Sequence, residues 1–303
     1  MMILAVVAQV ALAAAWVINV PSAAAVSARC PWQVSTVASG LGSLENLAFD
    51  GAGAMLLSRM DNGSGQIDRR YPDGRESVLV ANVSSPGSIV VDGSGAYFTA
   101  GNSFASGALG RTDGTINHVD LAGGASTVVA RGLTMPNGMA RLPDGSFVVS
   151  RNLGLSTGLT RVSADGRSST PFAQQLSMTN GVAYDPKRKA VITSLDLNPV
   201  ATLALIEVAD PDRIHRINLG LFGLVGYPDD LTVGPDGAVY LAMDGGSIVR
   251  VDPDHNSSCV LASGLIGSTS VRFGSGAGWD PQSIYSTDLS GGVHKLSPVK
   301  LPR

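Results

Sequence analysis

This sequence is poor in charge, and above all in basic charge. Lys and Arg number 21 against 24 Asp and Glu, the formal net charge is −3, and charged residues make up 15% of the 303-residue chain. Nucleic-acid binding needs a dense basic footprint to neutralise phosphates, so nucleic acid is excluded as a partner. Cysteine is almost absent: Cys30 and Cys259 allow one disulfide at most. Histidine occurs only at His118, His215, His255 and His294. What is plentiful is apolar and turn-forming. Hydrophobic residues are 44%, which excludes a disordered chain, and 37 Gly with 16 Pro favour many short strands joined by tight turns.

Residues 1–20 form an apolar run without a charge, and the small residues PSAAAVSA that follow end at Ala28. The pattern predicts a signal peptide over 1–28 and a single domain over 29–303. It implies a secreted, periplasmic or cell-envelope protein with no membrane association after cleavage. The run has no charged start and approaches a spanning length, so an uncleaved anchor is the alternative. Arg29 puts a bulky cation before Cys30, which argues against a lipid-anchored cysteine. In an oxidising compartment the simplest use of Cys30 and Cys259 is one disulfide, with two unpaired thiols as the alternative. Closing so long a loop contributes about 4 kcal/mol.

The chain repeats itself. A leucine or valine anchor, an apolar alternation, a Gly-rich turn and a β-rich run recur six times: LGSLENLAFDGAGAMLLS, VSSPGSIVVDGSGAYFTA, LTMPNGMARLPDGSFVVS, LSMTNGVAYDPKRKAVITS, LVGYPDDLTVGPDGAVYLAM and LIGSTSVRFGSGAGWDPQSIYSTD. The residues that open each alternation, Glu45, Gly87, Asn137, Asn180, Asp229 and Thr269, are spaced by 42, 50, 43, 49 and 40. Two more β-rich segments complete each repeat. This period predicts an all-β, six-bladed β-propeller with four strands per blade. The opening segment QVSTVASGL matches an outermost strand, so it should complete the last blade and close the ring. Cys30 and Cys259 then lie on neighbouring outer strands.

In a propeller, six equivalent positions at the start of the inner strands converge on one axis. Glu45, Asn137, Asn180 and Asp229 all carry side-chain oxygen there. Singly, Asn or Asp before a turn is ordinary turn chemistry. Together they would bury two carboxylates and two amides side by side, which is costly unless a cation lies between them. An all-oxygen set without His or Cys selects a hard divalent ion, Ca²⁺ ahead of other divalent metals, with Asp230 as a further oxygen or a supporting residue. The second strand of each blade returns to the same mouth, which puts Asp61, Asn102, Arg151 with Asn152, Asp196, Asp244 and Asp288 around the ion. Asn102 and Arg151 are the candidate substrate contacts.

With Glu45, PNGMARLPDG, TNGVAYDP and PDDLTVGPDG in place, the chain resembles the senescence-marker-protein (regucalcin), gluconolactonase and lactonase-like propellers, relatives of the paraoxonases and the strictosidine synthase-like proteins. The resemblance implies that Glu45, Asn180 and Asp229 hold a divalent metal, that Asp229 doubles as general base, and that Asn137 resembles a further ligand of the paraoxonase branch. Gly87 replaces an Asn usual in gluconolactonases, and no His occupies an inner position, so sugar-lactone specificity and a His mechanism are not expected.

The function expected is metal-dependent hydrolysis of a small-molecule lactone or related ester by a monomer, with the metal as Lewis acid. The alternatives are a binding or scaffold propeller with a structural metal, and an enzyme of the strictosidine synthase type. Two rival motifs fail on context. The G-x-S-x-G match at residues 154–158 lacks the strand-to-helix elbow it needs. The stretch beginning Asp252, Asp254, Asn256 has serine where a calcium loop needs Gly and Glu.

Overall fold

A computed structural model describes residues 26–27, 30, 32–61, 64–154, 158–196, 202–219 and 226–299. Each repeat forms one antiparallel sheet whose strands follow one another in chain order from the inside out. The inner strands are Ser43–Phe49, Pro86–Asp92, Pro136–Arg141, Thr179–Asp185, Pro228–Val233 and Ser268–Phe273. Each packs against the next, and the sixth returns to the first, so the six sheets are the blades of a closed β-propeller.

Closure is made by the N-terminal strand. Trp32–Ala38 pairs antiparallel with Val293–Pro298 and becomes the outermost strand of the sixth blade, which otherwise has three strands of its own. Val26–Ser27 runs parallel to Ser258–Cys259 on the edge of the fifth blade. Cys30 and Cys259 form a disulfide across a sequence separation of 229 residues. The expected leader falls almost wholly outside the described residues. Among those described, no helix is long and apolar enough to cross a membrane.

The core is divided into six wedges, one between each pair of neighbouring blades. Leu47, Met55 and Leu57 of the first blade pack on Trp279, Tyr285 and Val293 of the sixth. Met139, Phe147 and Val149 of the third pack on Ile116 and Ala130 of the second. This explains the strand patterns. A second strand such as Ala190–Leu195 is covered on both faces and reads as a continuous apolar run, while the outermost strand Glu76–Val83 is mostly exposed. The hairpins after the inner strands are held by aspartates. Asp50 Oδ1 accepts the N–H groups of Ala52, Gly53 and Ala54 at 2.8, 2.9 and 2.8 Å, and Asp185 and Asp236 do the same in their blades.

Candidate functional site

All six inner strands begin with a β-bulge, and the bulge falls on the positions singled out by the repeat. The pairing register slips between Leu44 and Asn46, Pro86 and Ile89, Pro136 and Met139, Thr179 and Val182, Pro228 and Leu231, and Ser268 and Ser270. A bulge sets two residues opposite one and re-aims a side chain, which is how an edge strand can serve a site at its own end. Four blades prepare the bulge with a strained residue. Ser85, Met135, Met178 and Tyr227, each two positions ahead of its ring residue, have φ of 41°, 43°, 55° and 44°, and Gly267 takes the same place in the sixth blade at 77°. None of Met, Ser or Tyr favours this conformation, so the fold imposes it. The carbonyls of Met178 and Tyr227 accept the N–H groups of Asp196 and Asp244 at 2.8 and 3.0 Å, and Ser85 accepts from Asn102 at 3.0 Å. The returning second strands are thereby clamped beside the ring.

The ring residues come together as follows. Asn102 Nδ2 and Asn137 Nδ2 both donate to Glu45 Oε1, at 2.9 and 3.1 Å. Asn137, Asn180 and Asp229 are buried, with exposures of 7%, 4% and 5%. The remaining two positions contribute no charge. Thr269 is spent on bonds to Leu44 O and Thr287 Oγ1, and a Cβ on Gly87 would lie 2.5 Å from Thr99 Oγ1, so the second blade has no room for a side chain at this position.

The electrostatics are those of acids crowded together. Burial, then the charge of Asp244, pushes Glu45 up to about 7 against the pull of its two Asn donors. Burial, then Asp244 and Glu45, raises Asp229 well above the usual carboxylate range. Burial and Asp196 raise Asp244 to about 6, with Asp229 hydrogen-bonded to it. The buried oxygens Asn102 Oδ1, Asn180 Oδ1, Asp230 Oδ1 and Asp244 Oδ1 have no hydrogen-bond partner. Acceptors without donors beside carboxylates that destabilise one another make a site short of positive charge. Among the described residues no three His, Cys, Asp or Glu side chains are placed to share an ion by themselves. The set is instead mixed carboxylate and amide oxygen, and that chemistry fits a hard cation such as Ca²⁺.

Not every residue expected at the mouth joins this cluster. Arg151 is the ladder partner of Pro136, and its Nε donates to Leu153 O at 3.0 Å; the register of Asp196 and Asp244 falls one residue later, on Asn152. Asp288 is likewise paired within its strand, with Ser268, and is engaged by Ser290, Gly292 and His294. The Asp61 side chain and residues 155–157 of the G-x-S-x-G match lie outside the described set. Asp230 and Asn46, one step past Asp229 and Glu45, prove to be bonded to each other, Asn46 Nδ2 donating to Asp230 Oδ2 at 2.7 Å. The signal for that pair was in the sequence: only the first and fifth repeats carry two polar residues of this kind in succession at the bulge.

Comparison with known proteins agrees with this architecture. The family described as strictosidine synthase-like, N-terminal, matches residues 212–251, the segment carrying Asp229, Asp230 and Asp244. No curated protein sequence matches the chain. Among solved structures, a gluconolactonase from Xanthomonas campestris superposes with a TM-score of 0.71 at 15% identity, covering 93% of this chain and 99% of that one. A luciferin-regenerating enzyme gives 0.64 at 13% identity, covering 88% and 95%. Virginiamycin B lyase from Staphylococcus aureus gives 0.63 at 11% identity, covering 88% and 99%. Identities this low report the fold. The chain is a six-bladed β-propeller, similar in fold to gluconolactonase and the luciferin-regenerating enzyme, with one segment similar to the strictosidine synthase-like proteins.

Proposed function

We propose that this chain is a calcium-dependent hydrolase that opens a lactone or a related ester. The observation that supports the reading is the crowding of Glu45 with Asn137 and Asp229, with Asn180 buried in the blade between those two, and the buried oxygens of Asn102, Asn180 and Asp244 left without a hydrogen-bond partner. Those four residues would hold the ion, which when bound supplies Lewis-acid polarisation of the ester carbonyl. Asn102 and Asn137 fix the Glu45 carboxylate through Oε1. Asp229 takes a proton from the attacking water and returns it to the leaving alcohol. Asp244, hydrogen-bonded to Asp229, is the less buried of the two.

The mouth also bears on the substrate. Exposed large apolar side chains of Phe104, Leu109, Tyr227, Ile266 and Leu289 stand on the loops around it, which suits a lactone or ester with an apolar acyl or aromatic group. The short helix Phe104–Leu109, capped by Ser103 and ended by Gly110 in the left-handed conformation, carries the first two next to Asn102. The disulfide accords with an exported, oxidising location.

The test is turnover of a panel of aliphatic, aryl and sugar lactones and esters, with calcium and with chelator. Calcium-dependent hydrolysis that is lost in Asp229→Asn supports the reading. A protein stabilised by calcium that turns over none of them is a binding propeller with a structural ion.

A further inference from the structure

Beneath the ring lies a second polar level that the proposed chemistry does not use. Asp230, 2% exposed, points one oxygen at three donors: Asn46 Nδ2, Ser270 Oγ and Arg272 Nη1, each 2.7 Å from Oδ2. Its other oxygen, Oδ1, has no partner, and it lies 2.9 Å from where a Cβ on Gly181, the neighbour of Asn180, would stand. Ser88 Oγ, at the corresponding place in the second blade, is also buried and unpartnered.

Arg272 reaches this level from the far side of the propeller. Its Nη1 is also within hydrogen-bond distance of Val271 O, at 2.7 Å, and Leu231 O, at 3.1 Å, so the guanidinium is anchored to the inner strands of the fifth and sixth blades. Beyond it the channel widens into an apolar depression of about 570 Å³ lined by Phe49, Tyr184 and Phe273 among others. Arg272 therefore stands between that depression and the ring. A guanidinium does not lose its proton in a protein, so its charge is permanent. The charge of Asp230 is felt at Glu45 above it, so the two levels are electrostatically joined.

We propose that the Arg272–Asp230 pair sets the charge of the ring from beneath, the guanidinium serving as a resident cation of the channel that limits the ring's demand to one divalent ion. Both residues are positioning residues. Neither touches the reacting atoms, and each acts through the field it imposes on Glu45 and Asp229. The inference rests on the ion-binding reading of the ring.

Calcium titration calorimetry on the full chain, with melting temperatures alongside, tests it. The wild type takes up one equivalent. Arg272→Met leaves Asp230 uncompensated and binds calcium about tenfold more tightly, while Asp230→Asn leaves the guanidinium uncompensated and binds about tenfold more weakly. The double variant and Arg272→Lys return to within about threefold of wild type, because charge balance is restored. Arg272→Gln, which keeps a donor toward Asp230, carries the same expectation if the methionine variant does not fold. A merely structural pair lowers the melting temperature in every variant and leaves calcium affinity unchanged, or weakens it alike in both single variants; either pattern overturns the proposal. A wild type that takes up no calcium removes the reading of the ring itself, and this is seen before any variant is made.

Discussion

Stability of the metal-free protein should fall as pH rises through the neutral range, opposite to the usual behaviour of surface carboxylates. Glu45, held at about 7, and Asp244, held at about 6, keep their protons in the folded state across a range where the unfolded chain has lost them. The folded state therefore binds more protons than the unfolded one between the ordinary carboxylate range and neutrality, and the slope of stability with pH is negative there. The contribution is fully present below the unfolded value and is gone once pH passes the folded one. Moving Glu45 from its usual value to about 7 corresponds to about 3 kcal/mol. Asp229 and Asp244 titrate in the same cluster, so their contributions do not add to it, and on the order of 3 kcal/mol is the expectation for the whole group. For a domain of this size that is a melting-temperature fall of roughly 6 °C. Exposed or partly buried carboxylates with lowered values, such as Asp236 and Asp288, lose their contribution only on the acid side, so a window from about pH 5 to 7.5 isolates the cluster. The assay is thermal unfolding across that window in chelator and in calcium. Calcium, which requires the ionised carboxylates, should stabilise more at each higher pH. A metal-free melting temperature that rises or stays level over the window, or a calcium increment that shrinks with pH, refutes the reasoning.

Three further outcomes are expected. Asp229→Asn folds and loses about a hundredfold or more in turnover, whereas Glu45→Gln shows itself first as weaker calcium binding in titration. Gly181→Ala places a Cβ 2.5 Å from Asp230 Cα and 2.7 Å from Asp229 O. Those are backbone atoms that cannot swing away, so denaturant unfolding should show a loss of about 1–3 kcal/mol together with reduced calcium affinity. Cys30→Ser should lower stability by about 4 kcal/mol in denaturant unfolding, and reductant should produce the same shift in the wild type but none in the variant.

The repeat made the ring legible from the sequence because a fixed period brings equivalent residues to one axis whatever lies between them. That ground alone puts Glu45, Asn137, Asn180 and Asp229 at the start of inner strands, where the structure has them, and likeness to an outermost strand marks Trp32–Ala38 as the closing strand. What stayed hidden depends on single-residue register. The bulges follow from backbone geometry that Pro-Asn-Gly or Pro-Asp-Asp does not spell out. The left-handed residues before them are Ser, Met and Tyr, types that do not favour that conformation. Spacing from the hairpin put Arg151 and Asp288 on the same footing as Asp196 and Asp244, but the ladder shifts each by one residue, and in a strand one residue is the difference between two faces. Arg272 could not have been seen at all. Its partner Asp230 lies 42 residues away, in another blade, and nothing in the alternation VRF shows that the arginine turns into the channel.

The most direct test of the account is a crystal structure of the protein grown with calcium and measured for anomalous scattering. One strong peak is expected on the propeller axis, with side-chain oxygens of Glu45, Asn180 and Asp229 at about 2.3–2.6 Å from it. No peak there, with those three side chains satisfied by one another or by water alone, would contradict it.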